Sequence, residues 1–306
     1  MPSSVDSRTV VVTGASGLIS SALVTALEND GHRVLRAVRR AVRDPERELS
    51  WDPAAGSIEI EKLEGADAVV HLAGESIAGR RWSEAFKQRL LDSRVQGTRL
   101  ISEAVAALSK RPRVLASASA IGFYGERGNA WLDESTSPGE GFLPEVCLQW
   151  EHSTQAARDA GIRVANLRFG VVLSPRSGAL ADMLTPFKLG AGGVLGSGRQ
   201  YFSWIALDDA VRAIRFVIEN EQLAGPMNLV VPEPVTNRQF TKALGEVLSR
   251  PTVLPMPAFA ARLLFGEMAD ALLLASARVL PGRLSEAGFR FDFPELKPAL
   301  RHMLAN

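Results

Sequence analysis

The chain has 306 residues, a formal net charge of +1, 46% hydrophobic residues and 23% charged ones. A charge so near neutral argues against a nucleic-acid or anionic-membrane partner, and a single cysteine, Cys147, rules out an intramolecular disulfide. The four histidines (His32, His71, His152 and His302) lack metal-ligand spacing, so no metal site is expected. The longest apolar run, LLLASARVL, is interrupted by Arg278, and MPSSVDSRT lacks the apolar core of a signal peptide. The expectation is a cytoplasmic globular protein.

In chain order, the first predicted unit is VVVTGASGLIS (10–20), a β-branched run, then a glycine-rich turn, then a helix over Leu18–Asn29. Further strands are predicted at Thr9–Val12, Arg33–Val38, Ala68–Leu72, Val114–Ser117 and Val164–Leu167. Helices are predicted at Trp82–Leu108 and Val146–Ala160, with Gly31 and Gly161 placed to end the first and last of these helices. Strands alternating with helices imply right-handed crossovers and a parallel, doubly wound α/β sheet. Ligands of such sheets bind beyond the carboxyl ends of the strands. From Ser174 the texture turns rich in glycine and serine and then mostly helical. The chain therefore divides into 1–173, a Rossmann-type domain, and 174–306, a smaller substrate lobe. The segment 207–231 is expected to rejoin the sheet, and TNRQFTKALGEVL (236–248) reads as a capped amphipathic helix.

The first strand–helix turn is the candidate cofactor site. Gly14, Gly17 and Ser20 stand at i, i+3 and i+6, so Ser20 fills the slot of a third glycine. Glycine lets a backbone approach a pyrophosphate, and the helix N-terminus favours an anion. Gly14, Ala15, Ser16, Gly17, Leu18 and Ile19 are therefore assigned to cofactor binding. A site that prefers NAD places an acid at the end of the second strand. Here that strand ends in Arg39-Arg40, with Asp44 as the nearest downstream acid. With no carboxylate opposing them, the two guanidinium forks suit a 2′-phosphate, so the expected cofactor is NADP(H).

Together with TGASGLIS, the segments ADAVVHLAGES (66–76) and SRVQGTRLISEA (93–104) resemble the extended short-chain dehydrogenase/reductase superfamily. WDP (51–53), HLAGESIAGRRW (71–82), SASAIGFYG (117–125), LRFGVVLSP (167–175) and LGAGGVLGSGRQYFSWIALDD (189–209) extend the resemblance. These point to its NAD-dependent epimerase/dehydratase-like branch with a DUF1731-type C-terminal region. The resemblance implies that Leu72, Ala73 and Gly74 line the adenosine and pyrophosphate. It places Arg94 where relatives carry Asn, within reach of a cofactor phosphate, and Leu173 on the nicotinamide side. It also implies a small-molecule substrate, and a homodimer formed through 82–108 and 143–160.

The catalytic pair of that superfamily, a Tyr followed four residues later by Lys, is absent. The residues four after Tyr124 and Tyr201 are Gly128 and Ile205, and the two slots correspond to Leu143 and Cys147. Ser119 matches the superfamily's catalytic serine. Tyr124, Glu75 and Cys147 are the candidate proton donors, with Ser119 as a hydroxyl hydrogen-bonder. Arg199, Phe202 and Trp204 form a basic-aromatic group that either stacks on a substrate or packs the core. Asp208 and Asp209 read as helix caps. The leading function is an NADP(H)-dependent oxidoreductase or epimerase. The alternatives are a non-catalytic NADPH-binding sensor and a fold retained without its cofactor.

Overall fold

The computed structural model describes residues 7–78 and 81–305. Gly79 and Arg80 of the HLAGESIAGRRW motif and most of the MPSSVDSRT segment lie outside the described residues. β1 (Thr9–Thr13) feeds α1 (Leu18–Asn29), followed by β2 (Arg33–Val38), β3 (Glu48–Asp52) and β4 (Ser57–Ile58). β5 (Ala68–His71) leads to the long α2 (Glu84–Ala107). Next come β6 (Val114–Ala120), β7 (Trp131–Leu132), α3 (Phe142–His152), α4 (Gln155–Asp159), β8 (Arg163–Phe169) and β9 (Val171–Leu173).

Beyond these lie α5 (Ala179–Lys188), β10 (Tyr201–Phe202), β11 (Trp204–Ala206), α6 (Leu207–Glu219) and β12 (Gly225–Leu229). The chain continues through β13 (Val235–Thr236), α7 (Asn237–Leu248), α8 (Ala258–Phe265), β14 (Arg278–Val279), α9 (Gly282–Glu286) and α10 (Leu296–Leu304).

The central sheet has the order β12-β8-β6-β5-β1-β2-β3-β4, parallel throughout except for the antiparallel edge strand β4. This is a doubly wound α/β sheet. One face packs on α1 and α6 through Val10, Val12, Val70, Leu167 and Ile214. The other packs on α2 and α4 through Val11, Val69, Leu115, Ile101 and Ala157. Near-continuous Val, Ala and Leu runs suit strands buried on both faces. A separate core of Leu180, Phe187, Trp204, Phe240 and Leu300 joins α5, α7 and α10 in the helical C-terminal region.

Three local readings change. The expected 146–160 helix starts at Phe142 and breaks at Ser153-Thr154, whose hydroxyls turn back to Gln149 O and Glu151 O at 2.7 and 2.6 Å. Such back-bonding competes with the helical ladder. Glu48–Asp52, holding the WDP tryptophan, is a strand that the alternation pattern missed. Asp209 does not cap α6: it is fully buried and accepts the N–H groups of Asp292 and Phe293, both at 2.9 Å. The 236–248 helix stands as predicted, closed by a Thr236–Gln239 capping box.

Candidate functional site

The strand order reverses between β1 and β5, so the crevice for a ligand opens beyond Thr13 and His71. Gly14 turns the chain there with φ +67°, and a Cβ on it would stand 2.9 Å from Ala73 Cα and 3.1 Å from the Leu72 carbonyl carbon. The two backbones approach as closely as glycine permits. Gly17 N donates to Gly14 O at 2.8 Å and opens α1 with no side-chain cap and no acid in its first turn. The first amides of α1 are thus left for an anion. Ala15, Leu18 and Ile19 are half-buried, Ser16 and Gly17 are exposed, and Ser20 is buried.

A polar pin holds the crevice. Thr13 Oγ1 accepts the N–H groups of Leu72 and Ala73 at 3.2 and 3.3 Å and lies 2.8 Å from His71 Nδ1. With two amides already accepted, the hydroxyl proton is assigned to Nδ1, which puts the ring proton on Nε2. Burial pulls the His71 pKa down to about 4, so the ring is neutral at physiological pH. Arg94 rises from α2 beneath Gly74, its Cγ and Cζ 3.8 Å from where a Gly74 Cβ would stand. Its guanidinium donates to Leu90 O at 3.1 Å and lies 4.9 Å from the Trp150 ring centre. Glu75 is half-buried, and its N–H donates to Ser93 Oγ at 3.1 Å.

The basic strand end is not as the sequence suggested. Arg40 is held by Glu48, Nη1 to Oε2 at 3.0 Å and Nη2 to Oε1 at 2.5 Å. A carboxylate therefore does oppose it, delivered by the unforeseen β3. Arg39 is exposed and makes no ion pair among the described residues.

The candidate catalytic corner forms where β6 and β8 end, with Ser119 directly opposite Arg168 in register. Ser119 Oγ donates to Glu151 Oε1 at 2.7 Å. Arg168 clamps the same carboxylate through Nε at 2.7 Å and Nη2 at 2.9 Å. Arg168 Nη1 donates to the Tyr124 hydroxyl at 3.0 Å, which donates to Asn228 Oδ1 at 2.8 Å; Asn228 N–H reaches Glu134 at 2.9 Å. Burial pushes the Tyr124 and Glu134 pKa values up.

Tyr124 is corrected as a proton donor to substrate. It is fully buried, with its phenol committed to Arg168 and Asn228. Cys147 is corrected too: burial pushes its thiol up to about 12, and it donates to Ala120 O at 3.6 Å, far from a reactive thiolate. Leu173 lies in the C-terminal core rather than on the crevice, because β9 pairs with β11 and turns that side chain under α5. Trp204 is fully buried and Phe202 packs on Phe240 at 4.6 Å, so both are core. Glu151 was missed. It stands eight residues after Leu143 and four after Cys147, on the α3 face that carries both empty catalytic slots, and that spacing could have found it.

Among the described residues, no cluster of His, Cys, Asp and Glu is arranged to hold a metal, and no helix is long and apolar enough to cross a membrane.

The glycine-lined crevice on a doubly wound sheet defines a nucleotide-binding protein of the Rossmann type, with a helical lobe behind it. The profile described as the NAD dependent epimerase/dehydratase family matches residues 10–230, and a domain of unknown function, DUF1731, matches 256–303. The chain belongs to that epimerase/dehydratase family. It is 48% identical over 291 residues to epimerase family protein MT2273 of Mycobacterium tuberculosis, covering 95% of this chain and 96% of that one. The structure of human epimerase family protein SDR39U1 with NADPH superposes with a TM-score of 0.90 at 33% identity, over 97% of this chain and 99% of that one. A nucleoside-diphosphate sugar epimerase from Corynebacterium glutamicum gives 0.81 at 37% identity, over 98% of this chain and 58% of that one.

Proposed function

We propose that the protein is a cytoplasmic NADP(H)-binding oxidoreductase or epimerase-type enzyme acting on a small molecule that bears a hydroxyl or carbonyl group. The observation that carries the cofactor reading is the Gly14 turn, where a single Cβ would fill the space against Leu72 and Ala73. The relative crystallised with NADPH supports the same reading. Residues 14–19 at the open N-terminus of α1 would hold the pyrophosphate, Leu72–Gly74 the adenosine and Arg39 the 2′-phosphate. Arg94, packed below Gly74, adds positive charge to the same strap. The bound cofactor supplies or accepts the hydride.

The chain's own residues then handle the hydroxyl. Ser119 is buried and spends its only proton on Glu151, so a substrate hydroxyl that reaches it would find an acceptor. As that hydroxyl loses its proton to Ser119 Oγ, the serine proton passes to Glu151. The Arg168 fork keeps Glu151 aligned for the transfer. Glu75, half-buried and acting electrostatically on Arg94, is a second candidate for proton transfer.

Fluorescence titration with NADPH and NADH tests the cofactor reading, with an expected preference of at least tenfold for NADPH that falls in Arg39→Ala. Equal affinities would reject it. Turnover on a panel of alcohols, carbonyl compounds and nucleotide sugars tests the catalytic reading, and Ser119→Ala should abolish any activity found. The buried apolar fillers at Leu143 and Cys147 favour one second reading, a non-catalytic NADPH sensor. Tight NADPH binding without turnover on that panel would support it.

A further inference from the structure

The connection between β2 and β3 spans residues 39–47 and has no helix, although parallel strands usually need a helical crossover of a dozen residues or more. Something else must hold this segment over the end of β2. Glu48, the first residue of β3, lies opposite Arg36 of β2, so its side chain stands beside the strand rather than at the tip of the loop. Its side chain is 7% exposed, whereas the Arg40 side chain that meets it is 44% exposed.

Four donors converge on that carboxylate. Arg40 supplies both arms of its fork, Arg43 its N–H at 2.8 Å, and Asp44 its N–H at 3.5 Å. Arg40 Nη1 also donates to Ala41 O at 2.8 Å, so three of its five N–H donors are taken inside the loop. The Asp44 carbonyl accepts Glu48 N–H at 2.8 Å and closes the segment from the other side. The Arg40 fork and the anchored 43–44 backbone therefore share one buried anchor, and Arg39 is left outside it with its guanidinium uncommitted.

We propose that Glu48 is a specificity-determining positioning residue. By locking Arg40 and the 43–44 backbone, it fixes the loop so that Arg39, and not Arg40, meets the 2′-phosphate of NADP(H). Glu48 touches no cofactor atom and acts through the loop. A carboxylate that follows the second strand thus favours NADP(H), the reverse of the usual effect of an acid in that region, because Arg40 neutralises it and two amides occupy it. This inference rests on the cofactor reading above.

The test is titration of the full chain with NADPH and NADH, as wild type, Glu48→Gln, Arg40→Gln and Arg39→Ala, each checked for folding by circular dichroism and Tm. With the lock broken, Glu48→Gln should bind NADPH about tenfold more weakly and NADH within twofold of wild type. Arg40→Gln, which opens the same lock from the other side, should behave alike; if Glu48→Gln does not fold, an Arg39→Ala variant that keeps its NADPH affinity overturns the inference. Arg39→Ala should lose NADPH affinity at least as much. If Arg40 were itself the phosphate ligand, restrained by Glu48, then Glu48→Gln would bind NADPH more tightly; that result, or an unchanged affinity, overturns the inference. A wild type without preference for NADPH would sink the cofactor reading and the inference together. A selective wild type with an insensitive Glu48→Gln would sink the inference alone.

Discussion

The crevice beyond β1 and the corner where β6 meets β8 are built from different materials. The crevice is backbone: a glycine turn, the open amides of α1 and the Leu72–Gly74 strap, held by one hydroxyl and one neutral imidazole. The corner is side chain: Ser119, Arg168, Tyr124, Asn228 and Glu134, all buried, with the partly exposed Glu151, in one hydrogen-bonded chain. Backbone recognition tolerates drift in sequence so long as the glycines stay. A buried polar chain tolerates no single loss, because each member leaves its neighbour unpaired.

The sharpest way to break this contrast is in the corner. Arg168→Met or Glu151→Leu alone should cost about 3–5 kcal/mol in urea unfolding, since each strands a buried charge. The double variant should lose less than either single one. Additive losses would show that the two residues do not act as a pair.

In the crevice, Gly14→Ala should cost roughly 2–4 kcal/mol, from left-handed backbone strain and a contact with Ala73 that cannot yield. NADPH binding should fall with it, and unchanged binding in a folded variant would remove Gly14 from the site.

The smallest effect expected is the acid sensitivity of the pin. Burial lowers the folded-state pKa of His71 to about 4, below the unfolded value of about 6.5. Below pH 6.5 the unfolded chain takes up a proton that the folded one refuses, so stability falls with pH until the folded state titrates too. The share lost between pH 7 and pH 4.5 is roughly 2–3 kcal/mol. The stability difference between wild type and His71→Gln should shift by that amount over the window. A difference that stays constant with pH would show that His71 is not held neutral.

Much of the crevice was legible in the sequence because its signals are local. Strand, glycine turn and helix follow one another within VVVTGASGLIS, and the alternation of elements places that turn first in a doubly wound sheet. Ser20 proved compatible with that reading: it is buried on α1 and adds only a hydroxymethyl where close packing would accept a glycine. The missing Tyr–Lys pair was equally legible, as a matter of spacing. The corner was not. Glu151 and Arg168 are 17 residues apart in sequence, and Tyr124 and Asn228 are 104 apart. No period or motif joins them.

The sequence by itself determined the fold class, the place of the glycine turn and the absence of the usual catalytic pair, because these follow from residues near one another along the chain. The tertiary structure decided which side chains remain available. It gave Arg40 to Glu48 and left Arg39, buried Tyr124 and Leu173, and set Glu151 beside Ser119. Those outcomes depend on strand register and on which elements share a core, and burial fixes the partners and charge of each group only once the sheet has formed.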